Sequence, residues 1–412
     1  MRKHLHPLWS LLLFFMIFGT GFVVGLQVSA VEASSPLQSG ESVYVQRFVR
    51  IWDLVHEGFF EQPVDSEVLI QGAINGMLET LGDQHTSYMP PDEFEMFSQD
   101  LSGSYSGIGA LVEAEDDKLL IVSPFDGSPA EAAGLLPGDE IKKVDETLVS
   151  EFDDPLSAIA LVRGPTGTPV RLLILRDGQE FEVTIVRETI PLVSASGEMR
   201  EDGIAYVRIA SFGYDTVEEL EATLEELLAQ NPKGLVVDLR GNPGGSLDAA
   251  LGVTSQFIGD GQIMIEEWGD GRREAYTARR GGLATDRDLP LVVLVDGGSA
   301  SASEIVAGAI QDRGRGQILG ETTYGKGTVQ NWHNLGPEDG GVRITIARWL
   351  TPNGTWIHEE GITPDITVEL TDAQRQAERD FQLESAEKLL LGQPLPKLPQ
   401  SRQNRGCCLG VY

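Results

Sequence analysis

Cysteine is nearly absent: the 412 residues hold two, Cys407 and Cys408, side by side near the end of the chain. Neighbours in a tail that also carries Pro394, Pro396, Pro399 and Gly406 cannot staple distant parts of one core, which excludes a disulfide framework. They read as part of a simple terminal tail, with an intermolecular bond or a modified terminus as the other readings, and they belong to no catalytic site. Positive charge is also scarce. Against 31 Lys and Arg stand 63 Asp and Glu, a formal net charge of −32, and no long basic stripe occurs. Such a chain repels polyanions, so nucleic acid is excluded as its natural partner. No metal-binding spacing surrounds Asp238 or His358.

What is present is the composition of a modular globular protein. With 41% hydrophobic residues and 47 glycines over 412 positions, the chain exceeds what one core usually organises, and two or three units are expected. Arg2 and Lys3 precede a run from residue 8 to 31 without a charged side chain, followed by Val31-Glu32-Ala33. These 24 residues would span about 36 Å as a helix, enough for a hydrocarbon layer of about 30 Å. Residues 1–33 are therefore expected to be an export segment, either a cleaved signal peptide or a retained membrane anchor. The rest is expected in the periplasm or on the outer face of the cytoplasmic membrane.

Residues 41–99 show helical periodicity, with Phe48, Ile51, Leu54 and Val55 on one face and Val68, Ile70, Ala73, Ile74 and Met77 on another. Met89-Pro90-Pro91 breaks it, and Asp92 is placed to cap a short turn over residues 93–97. Short strands open near Tyr105. Ser128-Pro-Ala-Glu-Ala-Ala-Gly134-Leu reads as a capped helix closed by glycine, Pro137-Gly138-Asp139 turns into a strand over 140–144, and 155–163 supplies a second helix. Residues 100–188 resemble a PDZ domain through Gly107-Ile108-Gly109, the Ser-Pro-Ala-x-x-Ala-Gly-Leu run and Pro137-Gly-Asp-Glu-Ile141. The resemblance implies capture of a C-terminal tail, the N–H groups around Gly107, Ile108 and Gly109 holding its carboxylate while the peptide adds as an edge strand.

After residue 195 strands alternate with helices: strands over 204–209, 234–239 and 289–295, helices over 217–229 and 247–257. The glutamates of 215–228 lie opposite a stripe of Val217, Leu220, Leu224, Leu227 and Leu228, and are solvated surface. A buried strand runs straight into Asp238-Leu-Arg-Gly-Asn-Pro-Gly244-Gly245, at the edge where open α/β sheets carry chemistry. Asp238 reads as a structural ion pair or hydrogen-bond acceptor rather than a metal ligand.

The next strand leads into Asp296-Gly-Gly-Ser-Ala-Ser301-Ala-Ser-Glu304 and a helix over 305–311. Ser301 and Glu304 fit the Ser-x-x-Glu capping box, so a helix cap with no chemistry is one reading of Ser301. The same position leaves the Ala302 N–H without an intrahelical acceptor, where it could bind a developing oxyanion. Further on, Lys326 sits between Gly325 and Gly327. It is either a surface charge or an amine packed close enough to lose water. As a general base it must fall from about 10.4 toward 7 or 8, which desolvation can supply. Gln330 is either its partner or a strand-end side chain.

Over about residues 45–370 the chain resembles the carboxyl-terminal processing peptidases, the tail-specific Ser/Lys proteases, through Gly298–Glu304, Tyr324-Gly-Lys-Gly-Thr-Val-Gln330, the Asp238–Gly245 run and Asp296. The resemblance implies an α/β fold: a mixed-sheet serine protease core over 195–370 with an inserted PDZ domain and an N-terminal helical region, then a C-terminal helix (371–391) and a flexible tail (392–412). It further implies Ser301 as nucleophile, Lys326 as base and Gln330 as the lysine's partner. The oxyanion hole would come from Ala302 and Gly244, with Gly245 behind them, and Arg163 would sense bound peptide. Neither metal nor other cofactor is implied. Partners would be protein or peptide tails, with a homo-oligomer and an N-terminal membrane anchor as further expectations. The turn over residues 81–88, with His85, would dock the helical region. The alternative reading is an inactive PDZ-bearing scaffold that binds tails without turnover.

Overall fold

A computed structural model describes residues 41–115, 117–152, 155–371 and 379–395. The expected export segment, both cysteines, most of the expected flexible tail and the first part of the expected C-terminal helix lie outside these residues. The chain divides into two units after Ile74. In the first, α1 (Glu41–Gly58) and the start of α2 (Ser66–Glu79) follow the two apolar stripes. Asp65 Oδ1 caps α2 by accepting the Glu67 N–H at 2.9 Å. Phe48, Ile51 and Leu54 are exposed.

The second unit opens with β1 (Ser87–Met89) and α3 (Pro91–Leu101). Asp92 is not ahead of this helix, as expected, but in its first turn, because Pro91 already has the φ of a first helical residue. Next, β2 (Ser104–Gly107) pairs antiparallel with β9 (Glu188–Pro191), a two-stranded neck for the segment between them. That segment holds β3 (Ala110–Glu115), β4 (Lys118–Pro124), α4 (Pro129–Ala132), β5 (Glu140–Val144), β6 (Thr147–Leu148), α5 (Ile159–Val162), β7 (Pro169–Arg176) and β8 (Gln179–Val186). Its sheet runs β3-β4-β5-β7-β8, with β6 on β5. Leu119, Ile121, Ile141, Leu172 and Ile174 alternate along these strands and fill its core. Ser128 caps α4 as expected, its Oγ accepting the Glu131 N–H at 3.2 Å. The second expected helix is split into a 3₁₀ turn, Pro155–Ala158, and α5.

The remaining elements are β10 (Ala195–Met199), β11 (Ala205–Ile209), α6 (Thr216–Leu228), β12 (Leu235–Asp238), α7 (Leu247–Phe257), β13 (Gln262–Trp268), β14 (Arg273–Thr277), β15 (Leu291–Val295), α8 (Ala302–Asp312), β16 (Gln317–Gly320), β17 (Thr328–Gly336), β18 (Gly340–Leu350), β19 (Ile366–Thr367) and α9 (Phe381–Leu390). The central sheet has the order β10-β11-β12-β15-β16-β19. Only the β10–β11 pair is antiparallel. Strands covered on both faces read as unbroken apolar runs, and β12 and β15 do so. Val237, Val293 and Val295 face α6, α7 and α8, whereas Val236, Val292 and Leu294 face α9. A second, antiparallel sheet, β1-β18-β13-β14 with β17 on β18, was not expected from the sequence.

Candidate active site

Because β12 and β15 are parallel neighbours, with Asp238 opposite Leu294, the loops that leave their carboxyl ends emerge side by side. Several hydrogen bonds fuse them. Asp296 Oδ1 accepts the N–H groups of Gly241 at 2.8 Å and Gly298 at 2.9 Å. Ser299 Oγ donates to the Leu239 carbonyl at 2.8 Å, and Ser303 Oγ to that of Asn242 at 2.9 Å. Asp238 lies beneath, fully buried, its carboxylate taking the Tyr206 hydroxyl at 2.8 Å and the Arg240 guanidinium at 2.5 and 2.9 Å. Arg240 reaches on to Asp380 at 2.7 Å and so ties α9 to the sheet. The structural reading of Asp238 holds.

Ser301 is half-buried at the start of α8, with φ 56° and ψ −110°. A serine at positive φ is strained, and such strain persists where the surroundings impose it. The capping reading is realised in one half only. Glu304 Oε2 accepts the Ser301 N–H at 2.7 Å, but the Glu304 N–H goes to the Ser301 carbonyl at 2.9 Å, not to the hydroxyl. Across from it, Gly244 approaches so closely that a Cβ would stand 2.9 Å from Ser301 Cβ and 3.0 Å from the Ala302 nitrogen. Gly244 was expected to donate to an oxyanion ahead of Gly245, but its N–H is directed at Asn242 Oδ1, 2.9 Å away in an Asx turn. The N–H groups of Ala302 and Gly245 have no acceptor among the described residues.

Glu304 is the residue that sequence reasoning undervalued. Fully buried, its carboxylate also accepts the Thr323 hydroxyl at 2.6 Å and the N–H groups of Gly325 at 2.6 Å and Lys326 at 2.9 Å. One carboxylate therefore holds the serine loop and the lysine loop together. The available signal was a lone acid in the otherwise uncharged stretch from residue 302 to 311. Behind the lysine, Trp349 Nε1 donates to the Lys326 carbonyl at 2.8 Å, and Trp356 Nε1 to that of Gly327 at 2.9 Å. The flanking glycines permit this: a Cβ on Gly327 would lie 2.7 Å from the His358 nitrogen.

Burial, and next the Arg343 guanidinium, hold the Lys326 amine below the ordinary lysine range, against the opposing pull of Glu304 and Asp83. The side chains of Ser301 and Lys326 form no hydrogen bond with each other, their link being the shared carboxylate. Gln330, expected as the lysine's partner, shows no hydrogen bond to it among the described residues. A bulge between Val329 and Gln330 sets Gln330 opposite Thr345, and its amide donates to the hydroxyls of Thr328 at 2.8 Å and Thr345 at 3.2 Å. His85 makes no triad with Ser301; it lies near Lys326, with Asp83 and Arg343.

In the inserted segment a cavity of about 240 Å³ is lined by Tyr105, Gly107, Ile108, Leu111, Ile159 and Arg163. Arg163 stands over the Tyr105 ring, 4.8 Å from its centroid. Two of the three residues expected to hold a tail carboxylate, Gly107 and Ile108, thus meet the expected sensor at one groove.

The model of peptidase family S41 matches residues 203–368, a PDZ domain model matches 106–186, and that of the activating protease CtpB N-terminal domain matches 23–93. Carboxy-terminal processing protease CtpA of Bacillus subtilis (strain 168) is 37% identical over 372 residues, covering 88% of this chain and 78% of that one. CtpB of the same organism is 38% identical over 355 residues, covering 84% and 72%. Among solved structures, a photosystem II D1 C-terminal processing protease is similar with a TM-score of 0.49 and 28% identity, over 81% of this chain and 94% of that one. With its PDZ insert and its S41 core, the chain belongs to the carboxy-terminal processing proteases.

Proposed function

We propose that the chain is an exported serine endopeptidase that captures protein C-terminal tails in its PDZ domain and cuts peptide bonds with Ser301 as nucleophile and Lys326 as general base. The observation that carries this reading is the Glu304 carboxylate, which binds the backbone of both residues. Ser301 Oγ attacks the scissile carbonyl and its proton passes to the neutral Lys326 amine, whose lowered affinity for protons suits it to the task. The N–H groups of Ala302 and Gly245 stabilise the oxyanion, since neither has another acceptor among the described residues. Lys326 then protonates the leaving amine, and water releases the acyl group by the same steps in reverse. Gln330, whose amide donates to the hydroxyls of Thr328 and Thr345, is the lysine's partner in this reading.

Tail capture uses the groove at Gly107, Ile108 and Arg163, with Gly109 next in the chain. Export rests on the uncharged run behind Arg2 and Lys3, with anchor or cleaved signal as its two forms, and the exposed apolar stripe of α1 is where a second copy would pack. The reading is tested with the Ser301→Ala chain and a peptide ending in a free apolar carboxylate. Calorimetry should show tighter binding than for the C-terminal amide of the same peptide, and the unsubstituted chain should cleave that peptide. Equal affinities would remove the carboxylate from recognition; binding without cleavage would favour the scaffold.

A further inference from the structure

The turn between α2 and β1 carries a buried histidine that the chemistry above leaves unused. His85 is 8% exposed, and its Nε2 has no hydrogen-bond partner among the described residues. The same holds for Nδ1 of His358, whose ring meets that of His85 edge-on with centroids 6.1 Å apart. Leaving such a nitrogen unmatched costs about 1–3 kcal/mol, and a group kept in that state calls for a reason. The surroundings point to the lysine. His358 packs on the lysine's own glycine, its Cβ 2.8 Å from where a Gly327 Cβ would be. Arg343, which acts on Lys326, donates through Nε to the His85 carbonyl at 2.7 Å. Asp83 accepts the His85 N–H at 3.1 Å and the Thr86 hydroxyl at 2.6 Å, and Thr86 Oγ1 accepts the N–H of Thr345, the residue that also holds Gln330. The charges that act on His85 are thus Asp83 from its own turn, Lys326 from the segment before β17, Arg343 from β18 and His358 from the loop after β18, while Glu304 acts on Lys326 from α8.

We infer that His85 is a positioning residue for Lys326, its neutral imidazole offering Nε2 as acceptor for the ammonium formed when Ser301 loses its proton. The inference rests on the Ser/Lys reading. The proton moves from Ser301 Oγ to Lys326 Nζ, one ammonium N–H donates to His85 Nε2 without transfer, and the proton goes on to the leaving amine. A protonated imidazole has no lone pair to offer and repels the ammonium, so protonation of His85 stops the reaction. Burial, and then the lysine's charge, hold His85 below the ordinary imidazole range, with Arg343 and His358 adding to this and Asp83 opposing. Both effects favour its neutral form.

The test is kcat and KM across pH on a tail peptide for the full chain, His85→Gln and His85→Ala, with Ser301→Ala and Lys326→Ala in parallel. The unsubstituted chain should lose activity on its acid side through two ionisations. His85→Ala should lower kcat about 10- to 100-fold, the worth of a hydrogen bond to a charged group, with KM unmoved. His85→Gln, whose amide oxygen accepts but does not titrate, should recover at least about tenfold of that loss and show one ionisation. Superposable profiles for the unsubstituted chain and His85→Gln, or equal losses in Gln and Ala at every pH, overturn the role. Activity in Ser301→Ala or Lys326→Ala overturns the Ser/Lys reading itself, a result distinct from dead dyad variants with an unaltered His85 profile. A second measurement serves if His85→Ala does not fold: the NMR titration of His85 should lie lower in the unsubstituted chain than in Lys326→Met, and coincident titrations overturn the inference.

Discussion

Ser301 and Lys326 donate their backbone N–H groups to one and the same oxygen, Glu304 Oε2, at 2.7 and 2.9 Å. The nucleophile's helix start and the base's loop are 25 residues apart in sequence and share a fully buried charge.

Replacing that charge should hurt stability and rate together. In Glu304→Gln one carboxylate oxygen becomes an NH₂ facing donors, and a buried polar group left unmatched costs about 2 kcal/mol. A lowered thermal midpoint and a kcat/KM reduced about 100-fold are expected, since a displacement near 1 Å is worth that much. A Gln variant with unaltered kcat/KM would show that the carboxylate only caps α8.

The charges around the lysine also set the pH dependence, with opposite signs. Arg343 lowers the Lys326 pKa, so Arg343→Gln raises it, and the acid limb of kcat/KM moves to higher pH. Glu304 raises it, so residual activity in Glu304→Gln has its acid limb at lower pH. Limbs that shift the same way in both variants would assign that ionisation to another group.

Gly244 bears on geometry without bearing on charge. Its φ of 103° disfavours any side chain, and a Cβ there would meet the Ala300 carbonyl oxygen at 2.8 Å as well as Ser301. Gly244→Ala should keep binding tail peptides yet lose about 100-fold in kcat, by displacement of the serine loop. A normal kcat, measured on folded protein, would mean that the loop yields without consequence.

Much of this site is legible along the chain because its parts are local. Strand-to-loop-to-helix runs announce Asp238–Gly245 and Asp296–Glu304, since buried parallel strands are apolar throughout and their carboxyl-end loops carry glycine and serine. The helix Leu247–Phe257 is placed to the residue for the same reason. The second sheet was not legible: β17 and β18 are only partly buried along much of their length, so they lack a clean alternation. The pairing of Gln330 with Thr345 follows a bulge after Val329, a one-residue shift that spacing cannot reveal. Asp83, His85 and Arg343 meet only because β1 pairs with β18, a contact more than 250 residues apart.

The dyad is tested most directly by kcat/KM on a tail peptide for Ser301→Ala, Lys326→Ala, their double variant and Lys326→Arg, with thermal unfolding of the same proteins. Residues that act as a unit are non-additive, so the double variant should be no worse than either single one. Lys326→Arg keeps the charge but has no neutral form at accessible pH, and should be as inactive as alanine. All four should stay folded and bind the peptide. Substantial hydrolysis by folded Ser301→Ala or Lys326→Arg would contradict a Ser/Lys mechanism.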